Sequence, residues 1–333
     1  MVKHTAQGVA FVGSGSASIS TRLSNDDLSQ IVDTSDEWIS TRTGIRQRHI
    51  AGDTDSLTSL SAEAARGAIA MANLSPADID LIVLATSTPD DLFGTACQVQ
   101  AELGASRAVA FDLTAACSGF VFGIITAAQF IRTGVYRNVV VIGADVLTRW
   151  VDWQDRTTCV LFGDGAGAVV MQASQTDHLL GFEMGSDGTM NGCLNLAYQA
   201  EAQPLVGDIA VQKGTFQPIT MNGREVYRFA VSRVPEVLEK SLFYANLTTA
   251  DIDWLILHQA NQRILDAVAK RLKIPNDRVV SNMAKHGNTS AASIPIALDE
   301  SVRAGNIKPG DKIATSGFGA GLTWGAAIFE WGS

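Results

Sequence analysis

The sequence predicts a duplicated α/β fold, and three observations carry that prediction. Residues 72–84 (ANLSPADIDLIVL) recur at 245–257 (ANLTTADIDWLIL) with eight identities in thirteen, at an offset of 173 in a chain of 333 residues. Each copy follows a helical stretch, Leu60 to Ala72 and Val231 to Ala245, and runs into a short β-branched, aliphatic segment of the kind that fills a buried strand. Further pairs keep the same order. Thr114-Ala115-Ala116-Cys117 resembles Ser290-Ala291-Ala292-Ser293, each opening a helix-like segment. The strand-like runs Asn138 to Ile142 and Lys312 to Thr315 lead to the glycine-rich segments Gly163 to Gly167 and Gly317 to Gly321. Helices alternating with apolar strands favour mixed sheets covered by helices. Two similar halves are expected, 1–178 and 179–333, joined without a disordered linker.

Composition narrows the function. Hydrophobic residues make up 46%, charged residues 18%, and the mean hydropathy is +0.13, which excludes disorder, collagen and coiled coil. A net charge of −9 and a pI of about 5.0 leave no basic footprint for a nucleic-acid backbone. The longest apolar stretch, Gly119 to Ile131, is broken by Gln129 and followed by Arg132. It falls well short of the ~20 residues that cross a bilayer and reads as a buried helix. Val9 to Val12 is too short for the apolar region of a secretory signal, so a cytoplasmic protein is expected. Four cysteines (Cys97, Cys117, Cys159 and Cys193) are too sparse for a disulfide framework and have no Cys-x-x-Cys spacing for zinc. Free thiols and no metal are expected.

Three positions could carry chemistry. Cys117 lies where a strand-like run gives way to small residues and then a long helical stretch, which puts its sulfur near a helix N-terminus. There the helix dipole and unpaired N–H groups favour thiolate, and Ala115, Ala116, Ser118 and Gly119 let a substrate carbonyl approach the backbone. From spacing alone, a buried structural cysteine remains the better reading. His258 ends the second repeated strand, where ligands of open α/β sheets tend to bind. Asn288, in His286-Gly287-Asn288-Thr289-Ser290, precedes the segment that mirrors Cys117. A pseudo-twofold axis between the halves would bring Cys117 together with His258 and Asn288. The two glycine runs lack the Lys-Ser/Thr ending of a P-loop and the dinucleotide-binding pattern, and read as tight hairpin turns.

Taken together, Asp33 to Ile39 (DTSDEWI), Thr41 to Ile45 (TRTGI), Ala115 to Phe120 (AACSGF), Phe162 to Gly167 (FGDGAG), His258 to Asn261 (HQAN) and His286 to Ser293 (HGNTSAAS) form a specific set. On them the chain resembles β-ketoacyl-acyl-carrier-protein synthase III, of the thiolase-like condensing enzymes, over essentially its full length. The resemblance implies a five-layered αβαβα duplicated fold and a homodimer. It further implies that Cys117 takes a short starter acyl group from acyl-CoA, and that malonyl-acyl-carrier protein then loses CO₂ and condenses with it, with His258 and Asn288 as N–H donors. Acetyl is the expected starter.

The same resemblance assigns the supporting residues. Backbone N–H groups of Cys117 and Ala320 would form the oxyanion site, with Ala320 standing where family members commonly carry glycine, and Phe318 would shield the cysteine. Trp38 and Arg156 match positions that sandwich the CoA adenine, and Arg42 one that contacts its phosphates. Arg228, Arg263, Lys270 and Arg271 would dock the acidic carrier protein, and Phe93 would reach the partner subunit's acyl pocket. No cofactor is implied, because CoA and phosphopantetheine thioesters are substrates. A thiolase would carry a second catalytic cysteine in a late Cys-x-Gly, where this chain has Gly317-Phe318-Gly319. A chalcone-synthase-like enzyme is typically longer. A cysteine hydrolase would pair His258 with Asn288 and release free acid, and a non-catalytic acyl-CoA scaffold would bind without exchange at Cys117.

Overall fold

The computed structural model describes residues 7–332. Five strands, β1 (Gly8–Ser16), β2 (Leu81–Ala85), β3 (Val109–Leu113), β4 (Asn138–Asp145) and β5 (Gly165–Ser174), form one sheet in the order β1-β5-β4-β2-β3. β2 runs parallel to both β3 and β4, and β5 antiparallel to both of its neighbours. A second sheet holds β6 (Leu179–Ser186), β7 (Trp254–Leu257), β8 (Lys312–Gly319) and β9 (Thr323–Glu330) in the order β6-β9-β8-β7. It repeats the same senses: β7 is parallel to β8, and β9 antiparallel to β8 and β6. A parallel bridge from Leu255 to Val279 lies where β3 lies in the first sheet.

Helices α1 (Leu57–Met71) and α2 (Ala96–Leu103) cover the outer face of the first sheet, and α4 (Gly223–Tyr244) and α5 (Gln262–Leu272) the outer face of the second. Between the sheets lie α3 (Gly119–Arg132) and α6 (Ser293–Arg303). This is the expected five-layered arrangement, and side-chain alternation builds it. In β4, Val139 and Val141 join the central core while Val140, Ile142 and Ala144 join the outer one. In β7, Ile256 faces inward and Leu255 and Leu257 outward. Strands covered on both faces must be apolar on both, which is why the repeated segments read as continuous aliphatic runs. The central helix α3 is apolar almost all round for the same reason.

The duplication extends to unusual backbone conformations. Asn73 and Asn246 both have φ of 54°, and Ala116 (45°) and Ser290 (51°) are left-handed just before the turns that lead into α3 and α6. These pairs set the register between the halves at 173 to 174. Cys117 is therefore the counterpart of Ala291, not of Ser293 as the sequence similarity has it: the short turns Ala116–Ser118 and Ser290–Ala292 superpose in the chain, and the helices start at Gly119 and Ser293.

Two further expectations are corrected. α1 and α4 begin earlier than their apolar periodicity indicates, because caps start them: Ser56 and Ser59 form a reciprocal capping box, and Asn222 accepts the Glu225 N–H. The first glycine run is not a tight hairpin turn; the second ends in one, as expected, with Gly321 at a positive φ in the Ala320 to Leu322 turn between β8 and β9, but its other glycines are not turn residues. Gly165 and Gly167 lie in β5, and Gly317 and Gly319 close β8. They are glycine because the other half leaves no room for a Cβ, which at Gly167 would sit 2.8 Å from the Ile296 nitrogen and at Gly317 2.8 Å from Ser118 Cα. Gly143 meets the Ala291 carbonyl in the mirrored contact. Gly143→Ala and Gly317→Ala are each expected to lower the unfolding free energy by about 1–3 kcal/mol, read from urea titration. A change below roughly 0.5 kcal/mol in both would refute the close contact.

Candidate active site

Cys117 lies in the turn Ala116–Ser118 ahead of α3, 7% exposed, at the junction of two cavities. Ala116, just before it, has a left-handed backbone, a local strain that the packing around it maintains. Gly319 makes room for the cysteine: a Cβ there would lie 2.9 Å from the Cys117 nitrogen and 3.2 Å from its Sγ. The Ser290 hydroxyl donates to Sγ at 3.3 Å.

The smaller cavity, about 110 Å³, brings Cys117 together with His258, Asn288 and Phe318. His258 follows β7 directly, donating its backbone N–H to Ser316. Its imidazole is 1% exposed, with Nδ1 2.8 Å from Ser293 Oγ and the Phe318 ring edge-on at 5.2 Å between centroids. Asn288 is clamped at both ends of its peptide: its N–H donates to Leu161 and its carbonyl accepts from Gly163. Asn288 Oδ1 accepts the Ser290 N–H at 2.9 Å, which leaves the Nδ2 donors for the cavity. Ala320 lines the larger cavity beside Cys117 and does not take a left-handed φ, so its methyl imposes no backbone strain.

Burial dominates the electrostatics. It pushes the Cys117 thiol up to about 12; the Ser290 hydrogen bond opposes the rise, and the nearby Asp145 carboxylate adds to it. The thiolate favoured by position at a helix N-terminus is thus outweighed by desolvation. Burial also pulls His258 down to about 3, so the ring is neutral at physiological pH. Asp145, raised by burial, is held by the Ser87 and Ala291 backbone N–H groups and the Thr86 and Thr88 hydroxyls. Ser290, Ser293 and Asp145 escaped the sequence reading. The two serines were visible only as part of a motif, and Asp145 only as the end of a strand.

The peripheral residues fall into separate groups. Arg42 and Arg156 flank the Trp38 ring, their Cζ atoms 4.5 and 4.8 Å from its centroid, and Arg156 donates to the Asp33 carbonyl. An adenine between Trp38 and Arg156 needs roughly 7 Å, two contact distances, so Arg156 must swing out to admit one. On α5, Arg263, Lys270 and Arg271 are exposed, with Arg263 donating to the Thr41 carbonyl and Arg271 to that of Val231. Arg228, exposed on the neighbouring α4, pairs with Glu225. Phe93 is fully exposed at the rim of the larger cavity, about 960 Å³, beside the edge strand β3. Among the described residues no group of three or more His, Cys, Asp or Glu could hold a metal ion, and no helix is long and apolar enough to cross a membrane.

Comparison with known proteins agrees with this geometry. The family model described as 3-oxoacyl-[acyl-carrier-protein (ACP)] synthase III matches residues 111–188, and that of its C-terminal part residues 242–331. The chain is 69% identical to the beta-ketoacyl-[acyl-carrier-protein] synthase III of Acaryochloris marina over 99% of both chains. It is 70% identical to that of Trichormus variabilis over 98% of both. The crystal structure of 3-oxoacyl-[acyl-carrier-protein] synthase III from Aquifex aeolicus matches with a TM-score of 0.90 at 44% identity, over 97% of this chain and 100% of that one. With Cys117, His258 and Asn288 brought together from opposite halves of a thiolase-like fold, the chain belongs to the β-ketoacyl-[acyl-carrier-protein] synthase III family, the condensing acyltransferases that open fatty-acid synthesis.

Proposed function

We propose that the chain condenses a short acyl-CoA, with acetyl-CoA as the starter, and malonyl-acyl-carrier protein through an acyl group held on Cys117. The observation that carries this reading is the meeting of a buried thiol with two uncharged N–H donors, His258 and Asn288, in one small cavity. Cys117 attacks the thioester carbonyl, the CoA sulfur leaves and ends protonated, and the acyl group remains on Sγ. The N–H groups of Cys117 and Ala320 stabilise the oxyanion of that exchange. Malonyl-carrier protein then enters, and loss of CO₂ builds negative charge on its thioester oxygen. His258 and Asn288 donate to that oxygen while the carbanion attacks the acyl-cysteine and expels the Cys117 thiolate, which takes a proton from solvent. Neutral donors suit the step, because a cationic imidazole would bind the malonyl carboxylate and hold back CO₂. Phe318, packed against His258, keeps water from the carbanion.

The hydrolase alternative needs His258 paired with Asn288. His258 is instead bonded to Ser293, and Asn288 Oδ1 to a backbone N–H. Trp38, Arg42 and Arg156 are proposed to take the CoA nucleotide, with stacking and guanidinium forks suited to an adenine and its phosphates. Arg228, Arg263, Lys270 and Arg271 are proposed as the docking face for the carrier protein, giving an acidic enzyme a local basic surface. A homodimer formed at β3 would place the exposed Phe93 of each chain at the other's acyl cavity. No cofactor is required beyond the thioester substrates.

Incubation with acetyl-CoA is expected to add about 42 Da to the wild type and nothing to Cys117→Ala, the adduct vanishing as acetoacetyl-carrier protein forms on addition of malonyl-carrier protein. Absence of an adduct with every acyl-CoA tried would overturn the reading. His258→Ala and Asn288→Ala should each slow condensation by about 10²- to 10³-fold while the acetyl adduct still forms. Removing the hydrogen bond from Ser290 takes away what lowers the Cys117 thiol, so in Ser290→Ala its alkylation by iodoacetamide should slow between about pH 7 and 9 and rise only at more alkaline pH. Peptide mass spectrometry reads the site, and an unchanged profile would exclude this role for Ser290.

A further inference from the structure

We infer that Ser293 is a positioning residue that holds His258 in the tautomer with its proton on Nε2, so that the ring meets the malonyl thioester as a donor and not as an acceptor. The inference rests on the reading of His258 given above. Ser293 Oγ has two neighbours, His258 Nδ1 at 2.8 Å and the Gln259 backbone N–H, which donates to it at 3.3 Å. A hydroxyl carries one proton, and among the described residues Nδ1 is the acceptor placed to take it. Nδ1 is then the lone-pair nitrogen, and the proton of the neutral ring sits on Nε2. Both side chains are buried, Ser293 2% and His258 1% exposed, so bulk water is not at hand to replace the hydroxyl.

The duplicated fold supplies an independent control. The counterparts of His258 and Ser293 in the first half are Ala85, at the end of β2, and Gly119, at the start of α3. A Cβ at Gly119 would lie 3.2 Å from Ala85 Cβ, so the two positions face each other there too, with no polar atom on either side chain. The half that carries the histidine carries the serine, and the half that lacks one lacks the other. Nor does Ser293 serve as a helix cap, because the cap of α6 is Ala292, with no side-chain cap bond. An alanine at 293 therefore keeps the helix start and removes the hydroxyl alone.

Nitrogen-15 NMR of the full-length protein labelled at histidine should show His258, assigned by its loss in His258→Ala, with a bare Nδ1 and a protonated Nε2. Ser293→Ala should move signal toward a protonated Nδ1 and slow condensation about 10- to 100-fold, with the acetyl adduct forming at the wild-type rate. Ser293→Thr, which keeps the hydroxyl, should restore both signatures. A wild-type proton on Nδ1 would overturn the inference. So would condensation by Ser293→Ala at the wild-type rate, or equal loss of both half-reactions together with a lower Tm. Failure of the wild type to take an acetyl group would instead remove the proposed function, and the spectrum would still decide the tautomer.

Discussion

The two central helices meet the opposing strands so closely that no side chain fits between. Gly143 packs on the Ala291 carbonyl and Gly317 on Ser118 Cα, so each half contributes a glycine strand against which the other half's helix start is pressed. Everything in the site follows from that contact. It brings the turn bearing Cys117 within reach of β8, sets Ser290 against Sγ, and lets the Ala291 N–H reach the Asp145 carboxylate across the pseudo-twofold axis. A single added methyl at these positions would have to push apart two β-sheets, because packed interiors do not yield by small local adjustment.

The same closeness buries Cys117 and His258, and burial decides the chemistry. A cysteine in water would titrate within reach of neutral pH; here burial lifts it to about 12 and lowers His258 to about 3. Both groups are thus neutral at rest. For the histidine this state suits its use, since a neutral ring donates a hydrogen bond without binding the carboxylate that must leave as CO₂. For the cysteine, in the proposed mechanism, it means that the nucleophile is generated as substrate arrives, with Ser290 favouring charge on sulfur. A permanent thiolate in this cavity would be an unpaired buried charge beside the Asp145 carboxylate, an arrangement with a heavy desolvation penalty.

The fold was legible because it is written twice. An eight-in-thirteen repeat and alternating apolar segments suffice to give two α/β halves, and the apolar girth of Gly119 to Ile131 gives a helix buried between them. Less legible was the register around the active site. Small residues repeat there without being equivalent, and only the paired left-handed residues Ala116 and Ser290 show that Cys117 answers to Ala291. Gly165, Gly167, Gly317 and Gly319 misled because a glycine required for close approach looks in sequence like one required for a turn, as Gly321 is. Cys117, His258 and Asn288 could be named from their motifs. Ser293 and Asp145 could not be assigned a role, because their function depends on a partner 35 and 146 residues away.

Duplication also explains how one active site comes from two equivalent places. Each of these positions has a counterpart with a small side chain in the other half: Ala291 for Cys117, Ala85 for His258, Gly119 for Ser293, Thr114 for Asn288. In the proposed mechanism the first half supplies the group that forms the bond, and the second supplies the donors that stabilise charge. Ala85 and Ala291, the counterparts of His258 and Cys117, are buried and leave little room for a Cβ at Gly119, at the start of the helix that follows Cys117.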